Sequence, residues 1–559
     1  MIHQEKAVTR LGSYLRRKVD TNTQRYVEHN RAVWGDQSYK NKVGTLLVEK
    51  SLAAPSVIAL SYFISSMNSI KPADPIIYNF DVYRDGLKYR RKLLPKRTEI
   101  LFNSIGGRLL ECLPSKRQLE EGTRLFDKYY PSLKSNQNLY DLTIEGLWVG
   151  DILTDSYLKE MSAITVRVDS TKFQQFLKMA LCQYAYWKEY FDTNTVTAIA
   201  VSHCVYLYAL PLRVAIDREI PGYQVNEHTI YRITKARKWA STEFWDFRKL
   251  FRSHDDEKKI ELLTSAKEMI EQRLNNTNNS NLPLAPWNDN VRSGSVVSHD
   301  RIINDDNNIY KVLVAANCFY DSPSGRGPNL FTDFYDWLVY LGNLSSRTNY
   351  EWFLKPHPDA TDMDLEILTE LANSYDRFQL VDKDVTVFQL CNEGIDCVLT
   401  MYGTVGFEAA VHGHLVVNAS TSNQHVAYNF NLHPSTVEEY EKLLLDLPNI
   451  VWNIDRNEIY EFFAMCTLCP PRSSWTHNDI HGFIESLGGW GHPTNKNSGF
   501  VKHLGPISYK KFLDEFCLEK HHKRLNLVAN YLCTGDYVMR WDKDFNLLRD
   551  GSQLSENSN

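Results

Sequence analysis

Two stretches of the chain hold residue types that can handle a phosphate. In the first, Lys355, Pro356, His357 and Pro358 stand at the end of an apolar run over 350–354. Two prolines fix the backbone on either side of one imidazole, so His357 is held at the carboxyl end of a strand. A histidine there contacts a phosphate oxygen or protonates a leaving group, and Lys355 adds positive charge; the alternative is a loop histidine with no role.

In the second stretch, Gly403 and Gly406 bracket Thr404 and Val405 after an apolar run over 397–401. The order is strand, glycine turn, helix start, which aims free backbone N–H groups and the positive end of a helix dipole at a ligand. Thr404 caps that helix or donates to a phosphate. Glu408 follows one helical turn later on the same face, placed to accept hydrogen bonds from ribose hydroxyls, with a solvated helix glutamate as the alternative.

Such residues need an α/β framework, and the periodicity supplies one. Strands are expected over 45–49, 75–80, 108–113, 197–202 and 222–225, alternating with helices over 55–70, 118–130, 169–191 and 205–216. Strands separated by helices of this length imply parallel βαβ units. A charged amphipathic helix over 253–274 is followed by a segment rich in Asn, Ser, Asp and Pro at 275–308, which reads as a linker. The alternation then restarts, with strands over 310–315, 350–354, 397–401 and 415–418 and helices over 329–341, 362–375 and 405–411. A last helix is expected over 509–532.

The expected organisation is therefore a basic arm at 1–43, a Rossmann-like domain at 44–274, the linker, and a second Rossmann-like domain at 309–470. An irregular and helical extension at 471–550 and a disordered tail at 551–559 complete it. At 559 residues, with 43% hydrophobic and 23% charged residues, the chain is long enough for two large soluble domains. The net charge of −5 offers no general attraction to nucleic acid. No run approaches a membrane span and the start lacks the pattern of a signal peptide, so a cytoplasmic protein is expected. The cluster Tyr14-Leu15-Arg16-Arg17-Lys18 reads as a surface arm, or as a contact to the inner face of a membrane. Ten scattered cysteines suit reduced thiols, and the lone Cys466-x-x-Cys469 has no second ligand pair at metal-site spacing.

Lys-x-His-Pro, followed by Gly-Thr-x-Gly-x-Glu-Ala-x-x-x-Gly, resembles the carboxyl-terminal domain of GT-B glycosyltransferases. It is most similar to the bacterial capsule and surface-polysaccharide transferases that include the Kdo transferases, and the His-Pro and Ser/Thr motifs are similar to those of bacterial sialyltransferases. The resemblance covers 310–418 well and the rest in outline. It implies a GT-B fold, two Rossmann-like doubly wound domains facing a central cleft, and a nucleotide-sugar donor held by Lys355, His357, Pro358, Gly403, Thr404, Val405 and Glu408. His357 would contact the donor phosphate, Thr404 the phosphate region and Glu408 the ribose. His414 stands where many such enzymes have proline, and the Glu-x7-Glu motif of UDP-sugar enzymes lacks its second glutamate here. That favours a CMP donor carrying an acidic, Kdo-like or sialic-acid-like sugar.

The same resemblance assigns the catalytic carboxylate and the acceptor site to the amino-terminal half. Asp155 and Asp151, four apart in Glu145-Gly-Leu-Trp-Val-Gly-Asp-Ile-Leu-Thr-Asp, are the candidates, with a helix N-cap as the other reading of Asp151. A carboxylate there deprotonates an acceptor hydroxyl or attacks the anomeric carbon. His203, at a strand end, and Arg213, on the helix after it, are candidates for the acceptor or sugar; a core histidine and an Arg213–Asp217 pair are the alternatives. The acceptor would be a polysaccharide or glycolipid, and no metal or other cofactor is expected. Three competing readings are a UDP- or CDP-donor transferase of surface-polymer synthesis, a nucleotide-sugar epimerase, and a non-catalytic glycan-assembly protein.

Overall fold

The computed structural model describes residues 20–34, 41–51, 53–79, 96–274, 301–304, 308–469, 475–476 and 509–548. The cluster at 14–18, nearly all of the 275–308 linker and the 551–559 tail lie outside these residues. The chain divides into two compact units. One comprises Met1–Pro131, Gln174–Ala240 and Pro471–Leu548; the other comprises Ser132–Phe173, Ser241–Pro470 and Arg549–Asn559.

The first unit is built on a six-stranded sheet. In chain order its strands are β1 (Thr45–Glu49), β2 (Asp74–Asn79), β3 (Arg108–Glu111), β4 (Val196–Val201), β5 (Gly222–Val225) and β6 (Ile230–Ile233), and in space they run β3-β2-β1-β4-β5-β6. All neighbours are parallel except β5 and β6, an antiparallel pair at the edge. The middles of the central strands, residues 46–48 and 198–201, are apolar and buried because both faces are covered. Helix Ala54–Ile70, buried over 14 of its 17 residues, packs against helix Leu518–Leu532, and Ser66 donates to the Leu525 carbonyl at 3.2 Å. The carboxyl-terminal helix thus completes the core of the first unit.

The second unit is built on a five-stranded, wholly parallel sheet. Its strands are β7 (Lys311–Ala315), β8 (Glu351–Lys355), β9 (Phe378–Leu380), β10 (Cys397–Thr400) and β11 (Leu415–Asn418), in the spatial order β9-β8-β7-β10-β11. The first strand of the sheet is central and the chain winds outward from it in both directions, which is the doubly wound, Rossmann-like arrangement. β9 and helix Val387–Glu393 are absent from the sequence expectation, as is β6.

The boundary between units differs from the expected one at 275–308. Residues 132–173 and 241–274 belong with the second sheet. Side chains explain the first transfer: Asn136 donates to Asp336 at 3.1 Å, and Thr165 donates to Asp333 at 2.8 Å. Apolar packing explains the second. Leu262, Ala266 and Ile270 of helix Asp256–Leu274 join one core with Phe462 and Phe463 of helix Arg456–Thr467 and with Phe407.

Candidate functional site

In an open parallel sheet, ligands bind beyond the carboxyl ends of the strands where the winding reverses. In the second unit that point lies between β7 and β10. A cavity of about 460 Å³ opens there, walled by Ala315 to Asn317 after β7, Lys355 to Asp359 after β8, Lys383 to Val387 after β9, and Thr400 with Gly403, Thr404, Val405 and Glu408 after β10. All seven residues expected to hold a nucleotide line this one cavity.

His357 is placed by a turn. The Ala360 N–H donates to the His357 carbonyl at 2.9 Å, and Thr361 caps helix Asp362–Ser374 in a reciprocal capping box with Asp364. The imidazole Nδ1 accepts the Asp359 N–H at 3.1 Å, so its proton sits on Nε2. Desolvation lowers its pKa from the ordinary value, with the Asp359 carboxylate opposing. His357 is therefore a neutral donor through Nε2.

Lys355 is only 4% exposed. Its ammonium donates to the Lys383 carbonyl at 2.9 Å and the Pro356 carbonyl at 3.3 Å, and desolvation lowers its pKa to about 8. It joins the end of β8 to the loop after β9, and so shapes the wall as much as it charges it.

Thr404 and Glu408 share the cavity, as one helical turn requires, and Glu408 is 9% exposed. Two expectations are corrected here. The Thr404 side chain makes no cap: the residue is itself α-helical in backbone, and its carbonyl accepts from Phe407 at 2.9 Å. Helix Val405–Val411 is also only seven residues long, too short for its dipole to dominate the site. Gly406 packs against the helix's support: a Cβ there would lie 3.1 Å from both Asn431 Nδ2 and His425 Cε1. Its smallness serves packing.

The carboxylates expected to act on substrate stand elsewhere. Asp151 and Asp155 lie on helix Gly150–Met161 of the second unit, at 2% and 1% exposure, and neither lines the cavity. Asp155 accepts the hydroxyl of Ser322 and, at 3.4 Å, the N–H of Ser324. Burial, with repulsion from Asp151 adding to it, raises its pKa to about 8. An enclosed acid that is mostly protonated at neutral pH is not placed to take a proton from an acceptor hydroxyl, which corrects the expectation for Asp155. The N-cap position of the helix belongs to Val149, so Asp151 is not the cap either.

In the first unit, His203 is exposed just beyond β4, which removes the core-histidine alternative. Its Nδ1 lies 2.9 Å from the Ser202 hydroxyl. Ser202 in turn donates its N–H and hydroxyl to Glu49 at the end of β1, at 2.7 and 3.0 Å. Burial raises the Glu49 pKa to about 7. Sequence reasoning missed Glu49, although an acidic residue closing an otherwise apolar first strand was a readable signal. Arg213 is 1% exposed with its guanidinium 5.6 Å from the Trp239 ring centre, while Asp217 pairs with Lys235 at 3.0 Å. The Arg213–Asp217 pair does not form, and Arg213 is enclosed in the core.

The chain matches no protein-family model and no curated protein. Among solved structures it is similar to KpsC, beta Kdo 2,7 transferase, from Thermosulfurimonas dismutans: 14% identity, 50% of this chain and 79% of that chain, TM-score 0.28. It is similar also to the beta Kdo 2,4 transferase KpsC of the same organism, at 12% identity over 48% and 79%, TM-score 0.27. UDP-GlcNAc 2-epimerase from Neisseria meningitidis, bound to UDP-GlcNAc, aligns at 10% identity over 75% and 93%, TM-score 0.22. Likeness this low carries no functional argument, and the Rossmann-like character of both units rests on their strand order. Among the described residues, no helix is long and apolar enough to cross a membrane.

Proposed function

We propose that the chain is a glycosyltransferase of GT-B type that takes an acidic sugar from a CMP-activated donor and adds it to a surface or capsular polysaccharide. The observation that carries this reading is the convergence of His357, Thr404 and Glu408, from two strand ends and one helical turn, on the single cavity at the winding reversal of the second sheet. In it, the Nε2–H of His357 donates to the donor phosphate and stabilises the charge that develops as the nucleotide leaves. Thr404 and the adjacent backbone hold the phosphate region, and the Glu408 carboxylate accepts from the ribose hydroxyls.

Charge supports the choice of nucleotide. The lining offers Lys355, already bonded to two carbonyls, and Lys383 against Asp359, Asp384 and Glu408. That balance suits the single phosphate charge of a CMP-sugar better than a diphosphate. Exposed His203 is the candidate for contact with the acceptor, and neither Asp151 nor Asp155 is assigned its proton.

A thermal-shift panel with CMP, UDP, CDP and GDP tests the donor, because a ligand bound only by the folded state raises its melting temperature with concentration. A CMP-dependent rise is expected. A rise with UDP and none with CMP overturns the donor, and no rise with any of the four overturns the nucleotide reading itself.

A further inference from the structure

The segment 316–329 after β7 supplies Ala316 and Asn317 to the cavity wall. Beyond them it is tied down by side chains from elsewhere in the second unit, Thr421 donating to the Pro328 carbonyl at 3.0 Å among them. Asp364 accepts the Phe319 N–H at 3.0 Å, Gln424 accepts from Arg326 at 2.9 Å, and Tyr402, immediately before Gly403, donates its hydroxyl to the Ser322 carbonyl at 2.8 Å. A further tie is Asp155, which holds Ser322 and Ser324. Asp155, Ser322 and Ser324 are 1%, 6% and 1% exposed.

We infer that Asp155 is a positioning residue: it pins the 322–324 turn and, through Ser322 and Tyr402, sets the place of the Gly403–Thr404 turn in the cavity. The chemistry follows from enclosure. An ionised carboxylate at this depth would need several donors, and Ser322 and the long Ser324 bond satisfy it poorly. The neutral acid fits, with one oxygen accepting from Ser324 and the other, as O–H, donating to the Ser322 hydroxyl oxygen. The charged residues four positions away on its own helix are buried Asp151 and exposed Lys159, whose ammonium lies 5.4 Å from the Tyr320 ring centre, and Asp321 and Arg326 stand on the loop; Asp151 repels a second negative charge and favours the same form. An asparagine reproduces this pattern, acceptor and donor in the same places, where an alanine removes both.

The nucleotide arm of the test rests on the proposed donor pocket, whereas the exchange arm does not. Wild type, Asp155→Asn, Asp155→Ala and Ser322→Ala would be compared by hydrogen exchange over 318–327 and by calorimetric CMP affinity. Asp155→Asn should keep wild-type exchange and a Kd within about twofold; Asp155→Ala should speed exchange and weaken CMP roughly tenfold, a coupling of the size mutations remote from a ligand produce. Ser322→Ala should follow it in direction and serves if Asp155→Ala fails to fold. Loss in Asp155→Asn equal to that in the alanine variant, or unchanged exchange in both alanine variants, overturns the inference. If wild type binds no CMP while the exchange pattern holds, the pocket reading fails and the anchor stands.

Stability against pH gives a further check. A carboxyl whose folded pKa is raised binds more protons folded than unfolded, so its contribution falls as pH rises from the ordinary carboxyl value near 4 to about 8. Asp155→Asn lacks that loss. Its stability relative to wild type should climb between about pH 4 and 8 and level off above; a difference already flat above about pH 5 means an ionised Asp155 and overturns the inference.

Discussion

Replacing His357 by alanine is expected to lower kcat by about 10²–10³-fold, the cost of removing one preorganised donor from developing charge. The side chain is 41% exposed and its ring nitrogen is engaged only locally, with Asp359, so the variant should melt close to wild type. The split between constants is informative. A donor that acts mainly on the departing phosphate affects kcat more than KM, whereas a purely ground-state contact raises KM with kcat preserved. Steady-state rates with a CMP-sugar and a folded variant decide it, and undiminished turnover removes His357 from the site.

The second large effect is structural. Replacing Gly150 by alanine should cost about 3 kcal/mol, at the upper end of what forced overpacking produces. A Cβ built there lies 2.0 Å from the Tyr140 carbonyl oxygen and 2.3 Å from that of Leu139, both backbone atoms that cannot swing away. The helix that begins at Gly150 carries Asp155 to Ser322, so its displacement should also loosen the cavity wall. The urea midpoint should fall with little change in slope. An unchanged midpoint means the Leu139–Tyr140 backbone yields, and the close approach is then not a constraint.

Much of the second sheet was readable because its strands are short apolar runs cut off by polar residues. The limits of Leu415–Asn418 and Val405–Val411 agree with expectation. β9 was not readable: Phe378–Leu380 is three residues long with two exposed, which leaves no periodicity to find. The cavity side was legible for a related reason. Lys355 to Pro358 and Gly403 to Glu408 each combine a strand end with unusual residue types, and their meeting follows from strand order.

The carboxylates were misplaced because local sequence is silent about partners far along the chain. Asp155 looks like a helix residue with no structural duty until Ser322, 167 positions away, is brought to it. The same holds for the unit boundary. A polar segment at 275–308 looks like the division, yet the ties of Asn136 to Asp336 and Thr165 to Asp333 carry 132–173 into the second unit. Arg213 shows the reverse error: an i, i+4 carboxylate is a good helix-surface partner only when the arginine is on the surface, and here it is enclosed with Trp239 while Lys235 takes Asp217.

The most direct measurement of the donor site is a crystal structure of the chain with CMP. CMP should occupy the cavity beyond β7, β8 and β10, with a phosphate oxygen about 3 Å from His357 Nε2 and the ribose hydroxyls on the Glu408 carboxylate. CMP bound elsewhere, or in the cavity with its phosphate away from His357 and Thr404, would contradict the assignment.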